Sequence, residues 1–475
     1  MSDHDTDVRF VSPLHDAVTV GVDIGTTSVK ALAVDENGQV VARSRVAHQV
    51  VAPEPDQLRH DAKRAWRAGP KKAYADLLAQ LETQGRPSPA GVTVTSMVPS
   101  LTAVNRAGIP ALPGLLYGDI EGRPEVSTSA PVLPPGSMAD AEGFLAWAVA
   151  EAPDAKGYWP CQAVATYALT GVPAIDSAVT SSLGSLHSWG KWNQPLLDSM
   201  GVKESQLPTV FNMCEAAGTL PGTDTVFTGG SIDALCDQVV AGAFQPGDVL
   251  VIFGATLIVW VVTEDFVESP GLISYPHTTA NRFLIGGPSN AGALFVDWAR
   301  SLLRDVPRPG PDREKQEARL GQPDRIPIWL PYIRGERTPF NDHTLRGSLV
   351  DLHIASNGAA IERAAFEASG FVVKRIIDQS GAPVRKVVAS GGGSRVTAWM
   401  SAVADATGLP VEAVGVPDGA ARGAAFFARV AAGLETSLND SARWASTGRT
   451  IEPDPLWVKS AAERYQRFCE LGTGH

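Results

Sequence analysis

The sequence predicts an α/β chain made of two sheet-and-helix halves. Three observations point there. Short β-branched strands alternate with helical stretches; a strand, a small-residue turn and a second strand occur at Val18–Val34 and again at Val249–Val262; and each copy is followed by a strand that stops on glycines and enters a helix.

The elements follow in order. Val18 to Asp23 is β-branched and apolar, Ile24 to Thr27 supplies a turn, and Val29 to Val34 resumes the extended pattern. Asn37-Gly38 gives the positive-φ positions of a hairpin, so Gln39 to Arg43 reads as a returning third antiparallel strand. Trp66 to Leu81 has helical spacing. Thr225 to Asp233 runs from a strand through Gly229-Gly230 into a helix, a domain break falls near Gly242 to Asp248, and Phe244 to Gly247 within it reads as a hinge. In the second half, Val249 to Phe253 enters Gly254-Ala255-Thr256, and Leu257 to Val262 leaves it. The stretch 307–327 reads as an inserted surface loop or short helix. Ile361, Ala365, Ala368, Val372 and Ile376 then share one helix face, and Val387 to Arg395 repeats the strand-glycine-helix junction.

Composition excludes several classes of function. The 475 residues carry 40 Lys+Arg against 51 Asp+Glu, a net charge of −11, with no basic run; nucleic-acid and anionic-membrane partners are therefore not expected. Cys161, Cys214, Cys236 and Cys469 lie far apart and read as reduced packing residues. Residues 1–17 lack an apolar core, and the most apolar stretch, Val249–Val262, is too short to span a bilayer, so a cytoplasmic location is expected. Walker A, GxGxxG, HExxH and GxSxG patterns are all absent.

The glycine turns are the chemical signal. A strand-Gly25-Thr26-Thr27-strand tip exposes successive N–H groups and hydroxyls, a concavity suited to phosphate oxygens. One such turn alone reads as an ordinary hairpin; two in matching halves, at Gly25 and Gly254, read as paired phosphate cradles. Asp23 is placed to hold Mg²⁺ beside them, while Lys30 either adds charge or stands on a solvated strand face. Gly391, Gly392 and Gly393 let a flat ring or a phosphate approach a helix N-terminus. Asp233 opens a helix, where it either complements the dipole or accepts a hydroxyl proton during phosphoryl transfer.

Five segments in order, Val22–Ala31, Gly229–Asp233, Gly335–Pro339, Gly391–Arg395 and Asp418–Ala425, resemble the FGGY carbohydrate kinases over residues 18–435. The resemblance implies a two-domain fold of the actin/Hsp70/hexokinase (ribonuclease H-like) type, with ATP and sugar meeting in an interdomain cleft. It implies domains at 1–243 and 244–475, Asp233 as general base, and Asp23 as the metal-linked residue. It assigns the first phosphate loop to Gly25, Thr26 and Thr27, and the second to Gly254, Ala255 and Thr256, where Ala255 lacks the family's usual hydroxyl. The adenosine turn falls on Gly391, Gly392 and Gly393, with Ser394 and Asp418 beside it. Sugar-facing positions fall on Met97, Val98, Tyr117 and Asp119, although the branch's polar Gln and His around Met97 are replaced here. Asp176 and Ser181 resemble a structural stretch. The overall resemblance is to the xylulokinase-like branch, which implies conversion of D-xylulose to D-xylulose 5-phosphate, with another ketopentose, a polyol or gluconate behind it. ATP and Mg²⁺ are the implied cofactors, and a homodimer is the default assembly. The same fold serves chaperones and filament ATPases, and a catalytically weak sugar sensor is a further rival; the Gly335–Pro339 segment and Asp233 favour the kinase.

Overall fold

The computed structural model describes residues 17–54, 56–122, 140–188, 190–279, 281–303, 323–354 and 356–472. Most of the 307–327 stretch and nearly all of the 1–17 segment lie outside them.

Two seven-stranded sheets organise the chain. The first contains β1 (Thr19–Ile24), β2 (Ser28–Val34), β3 (Val40–Ala47), β4 (Gly91–Ser96), β5 (Ala216–Thr219) and β6 (Val226–Thr228), in spatial order β5-β6-β4-β1-β2-β3. The second contains β7 (Asp248–Phe253), β8 (Leu257–Thr263), β9 (Phe283–Ser289), β10 (Lys386–Ser390), β11 (Val411–Val414) and β12 (Thr447–Ile451), in the order β9-β8-β7-β10-β11-β12. The orders superimpose. Each central strand pairs antiparallel with the partner of its glycine hairpin and parallel with the next strand inward. The expected duplication is therefore one of topology, with one shift of equivalence. The counterpart of β10 and its Gly391 turn is β4 and its Met97-Val98 turn, because both lie parallel beside the hairpin strand; β6, the strand before Gly229-Gly230, corresponds to β11.

Local chemistry accounts for the elements. The central strands β1 and β7 are buried along their whole length and read as continuous apolar runs, as strands covered on both faces do. The returning strand reaches Ala47, four residues beyond the expected Arg43, because it continues to pair with β2 down to Ser28. The predicted helix over 66–81 begins as a π-helical turn, Lys63–Ala68, and continues as α1 (Gly69–Thr83). The helix over 361–376 is α4 in chain order after α2 (Asp233–Ala241) and α3 (Ala293–Ser301); it spans Gly358–Ser380, with the Asn357 side chain accepting from the Ala360 N–H at 2.9 Å.

One helix crosses the division at 243/244. After α5 (Thr397–Thr407), α6 (Gly419–Ala431) leaves the second half and lies on β1 and β4 of the first sheet, where the Thr19 hydroxyl donates to the Ala425 carbonyl at 2.8 Å. Helix α2 makes the reciprocal move. Its Ala241, with Ala243, packs on Leu250, Ile252 and Trp260 of the second sheet, while Val239 and Val240 face Phe426 and Phe427 of α6. A Cβ at Gly423 would stand 1.7 Å from the Cys236 carbonyl oxygen, so small residues set how closely α2 and α6 cross. Lobe one thus comprises residues up to 242 together with 419–446, and the chain returns to lobe two at β12 and α7 (Pro455–Gly472). Residues 421–429 of α6 are all buried, because the helix lies between the first sheet and α2.

Candidate active site

Both hairpin tips, the Gly391 turn and the N-terminus of α2 open onto one cleft between the lobes. Two cavities meet in it. The larger, 790 Å³, is walled by Asp23, Gly25, Thr26, Thr27, Lys30, Gly254, Ala255, Gly391, Gly392, Gly393 and Asp418, and further by Arg395 and Trp399. The smaller, 590 Å³, is walled by Met97, Val98, Tyr117, Ile258, Trp260, Tyr275, His277, Thr256 and Arg337. Thr26, Asp233, Asp237, Ile252, Gly254, Ala255 and Ala420 belong to both walls, so the shared rim brings together the two turns, the start of α2 and the start of α6.

The glycines at this rim are not demanded by the protein's own packing. Gly25 and Gly254 have no left-handed φ, and a Cβ at either would meet nothing closer than 3.4 Å; at Gly392 it would meet nothing within 4 Å. The free space lies in front of them, where a Cβ would fill a cradle. Gly391 differs, with φ +83° and the Phe253 backbone 2.8 Å from where a Cβ would sit.

Charge is distributed unevenly. Asp23 ends β1 opposite Lys30 on β2, and the Lys30 ammonium lies 3.1 Å from Asp418 and 3.9 Å from Asp23. Burial pushes the Asp23 carboxyl up to about 7; Lys30 opposes the shift, and Asp233 and Asp418 add to it. Asp233 accepts the Ala234 N–H at 2.7 Å, and burial, reinforced by Asp237, raises it to about 6. Asp237 lies one helical turn further on, raised to about 6 by burial, and accepts the Ser390 hydroxyl at 2.5 Å from across the cleft. Asp23 and Asp237, both buried, and half-buried Asp233 crowd one wall of the larger cavity. Crowding of this kind is resolved by a cation or a shared proton.

The acceptor side is mostly apolar, closed by a loop from lobe two. Arg334 donates to the Gly118 carbonyl at 3.3 Å, Arg346 pairs with Asp56 at 3.3 Å, and the Arg337 guanidinium lies 5.3 Å from the centroid of the Tyr117 ring. Among the described residues Arg337 Nε and Nη2 are buried without a hydrogen-bond partner, and neighbouring Glu336 is occupied by the Ser289 hydroxyl and the Asn290 and Arg337 N–H groups.

Two expected site residues lie elsewhere. Asp119 is fully buried and is not among the residues walling either cavity; its oxygens accept from the Leu58 N–H at 2.6 Å and Arg59 Nε at 3.2 Å, which ties its loop to the 58–59 segment. Ser394 closes its own turn by donating to the Gly391 carbonyl at 2.8 Å, and Arg395 takes its place in the cavity wall. Asp176 caps the short helix Ser177–Thr180, the structural role expected of it, while Ser181 lines the acceptor cavity with its hydroxyl given to Ala178. Sequence reasoning missed Asp237 and Arg337. The helical i, i+4 spacing from Asp233 was an available signal for the first; the second stood inside the quoted Gly335–Pro339 segment, but its partner Tyr117 is visible only in three dimensions.

A duplicated sheet-and-helix fold, closed around a cleft with two turn cradles and an acid between two cavities, defines a phosphotransferase of the actin and hexokinase type, with an alcohol group as acceptor. Comparison with known proteins gives the family. The N-terminal and C-terminal domain models of the FGGY family of carbohydrate kinases match residues 18–118 and 249–432, together more than half of the chain. The chain belongs to this family, whose sugar kinases use ATP. It is 24% identical to a gluconokinase of Bacillus subtilis over 81% of this chain and 82% of the relative, and 23% identical to a xylulose kinase of the same organism over 89% and 90%. Among solved structures, gluconate kinase from Lactobacillus acidophilus aligns with a TM-score of 0.79 and 21% identity, covering 96% of this chain and 97% of the other, which establishes the common fold. Among the described residues no helix is long and apolar enough to cross a membrane.

Proposed function

We propose that the protein transfers the γ-phosphoryl group of ATP to a hydroxyl of a small sugar, with D-xylulose, giving D-xylulose 5-phosphate, as first acceptor. The observation that carries the reading is the position of Asp233 on the shared rim of both cavities, where one carboxylate reaches both the acceptor hydroxyl and the phosphoryl group. In this reading adenosine lies by Gly391 to Gly393, the triphosphate lies between the Gly25 and Gly254 turns with Lys30 beside it, and the acceptor stands against Met97, Val98 and Tyr117. Asp233 orients the hydroxyl and takes its proton as the phosphoryl group leaves. The turn N–H groups stabilise charge on the transferring oxygens, so the chain's contribution is positioning and electrostatics.

Mg²⁺ fits the donor set. Asp23 offers a hard oxygen ligand in a pocket with an excess of buried carboxyls, and among the described residues no three His, Cys, Asp or Glu side chains gather closely enough to hold a metal by themselves. That matches an ion held by one or two carboxylates and by substrate phosphates. When bound, it would neutralise charge on the β- and γ-phosphates. A cytoplasmic location is part of the same reading.

A second reading is favoured by one specific observation. Arg337 lines the smaller cavity and brings a cation to its wall, where it would attract a carboxylate, so a sugar acid such as gluconate is the next acceptor. A panel of ketopentoses, polyols and aldonates with ATP, read as ADP release, decides between them. If the acceptor is an aldonate, Arg337→Ala raises its KM by about 10–100-fold with a smaller change in kcat. If it is an uncharged ketose, the same substitution changes KM by less than about fivefold. ADP release unaffected by every sugar on the panel contradicts the kinase reading.

A further inference from the structure

We propose that His60 is a positioning residue for the first phosphate turn, and that Trp66 fixes the tautomer in which it acts. The inference rests on the reading of the Gly25–Thr27 turn as a phosphate cradle and adds what keeps that cradle facing the right way.

A hairpin tip becomes an anion site only if its N–H groups, and not its carbonyls, face the ligand. Within a trans peptide the C=O of one residue and the N–H of the next point in opposite directions. Whatever binds the carbonyls behind the turn therefore aims the N–H groups in front of it. In lobe two the device is plain. The Ala293 N–H donates to the Gly254 carbonyl at 2.9 Å and the Leu294 N–H to the Ala255 carbonyl at 3.0 Å, so the start of α3 pulls both carbonyls back and turns the Ala255 and Thr256 N–H groups forward.

In lobe one the partners of the turn carbonyls among the described residues are not helix N–H groups. Its Thr27 carbonyl accepts the His48 N–H at 3.0 Å, and its Thr26 carbonyl is met by His60 Nε2 at 2.8 Å. The imidazole thus stands where the other lobe uses a helix N-terminus, and it aims the Thr27 N–H into the nucleotide cavity. The proton's location follows from Trp66. Indole Nε1 is only a donor, and it lies 2.9 Å from His60 Nδ1, which must therefore accept. Nε2 then carries the hydrogen, and the Thr26 carbonyl receives it. The arrangement is rigid: Trp66 is fully buried, its π-helical turn is locked into the fold, and the His48 ring stands edge-on to His60 with centroids 4.6 Å apart. A second proton on His60 would set N–H against N–H at Trp66, in keeping with burial and His48 holding the ring down at about 4.

The test uses the full chain and three variants, with ATP and adenosine affinities measured by calorimetry, acceptor KM by ADP release, and thermal midpoints recorded alongside. His60→Ala is expected to weaken ATP about tenfold and to leave adenosine within about twofold, since only the phosphate turn is released. His60→Gln, whose amide N–H reaches the same carbonyl, restores most of the loss. Trp66→Phe frees Nδ1 and gives an intermediate loss. Should His60→Ala fail to fold, the other two variants carry the comparison. Unchanged ATP affinity in His60→Ala, parallel losses for ATP and adenosine, or His60→Gln as impaired as the alanine variant overturns the inference. A wild-type protein that binds adenosine and not ATP overturns the cradle reading instead.

Discussion

Replacing Asp233 with alanine is expected to lower kcat by about 10²–10⁴-fold while ATP affinity stays within about twofold of wild type. The split follows from geometry. Asp233 stands at the rim, and the groups assigned to nucleotide binding, the two turns and the Gly391 segment, are held by contacts that do not include it. The pH profile gives a second, independent reading. A base must be ionised, and burial has raised this carboxyl to about 6, so kcat/KM should fall tenfold per unit as pH drops below about 6. Asp237 contributes to that raised value, so Asp237→Asn should move the acid limb to lower pH. A limb that stays in place in that variant, or an alanine variant with near-normal turnover, removes Asp233 from the role of base.

The second large effect is on stability. Gly423→Val should destabilise the protein by about 3 kcal/mol or more, because its Cβ would meet the Cys236 carbonyl at 1.7 Å, and a backbone atom inside a helix crossing has little room to retreat. Gly21→Ala probes the other side of α6, where a Cβ would lie 1.8 Å from the Ala421 carbonyl, and should be comparably damaging. Thermal denaturation checks both, and a midpoint within a degree or two of wild type for Gly423→Val contradicts the packing described.

Much of this architecture is legible before any coordinates. The duplicated hairpins announce themselves because a small-residue turn between β-branched runs recurs in matching halves, and the 358–380 helix has both an apolar face and an Asn cap. What stays hidden is pairing across the chain. The pairing of Asp119 with Arg59, 60 positions away, is one such contact. Ser394 looks available until its hydroxyl is found on Gly391. The crossing of α6 onto the first sheet is hidden for the same reason, since its contacts with β1 and β4 join residues some 400 and 330 positions apart.

The exchange of α2 and α6 also bears on how the chain is made. The face of β1 and β4 that includes Gly21 and Gly91 is covered by a helix ending at Ala431, so during synthesis that surface stays bare until most of the polypeptide has left the ribosome. Fragments cut between 243 and 244 should each be sticky and insoluble alone, yet regain solubility when produced together, since each holds the piece its counterpart lacks.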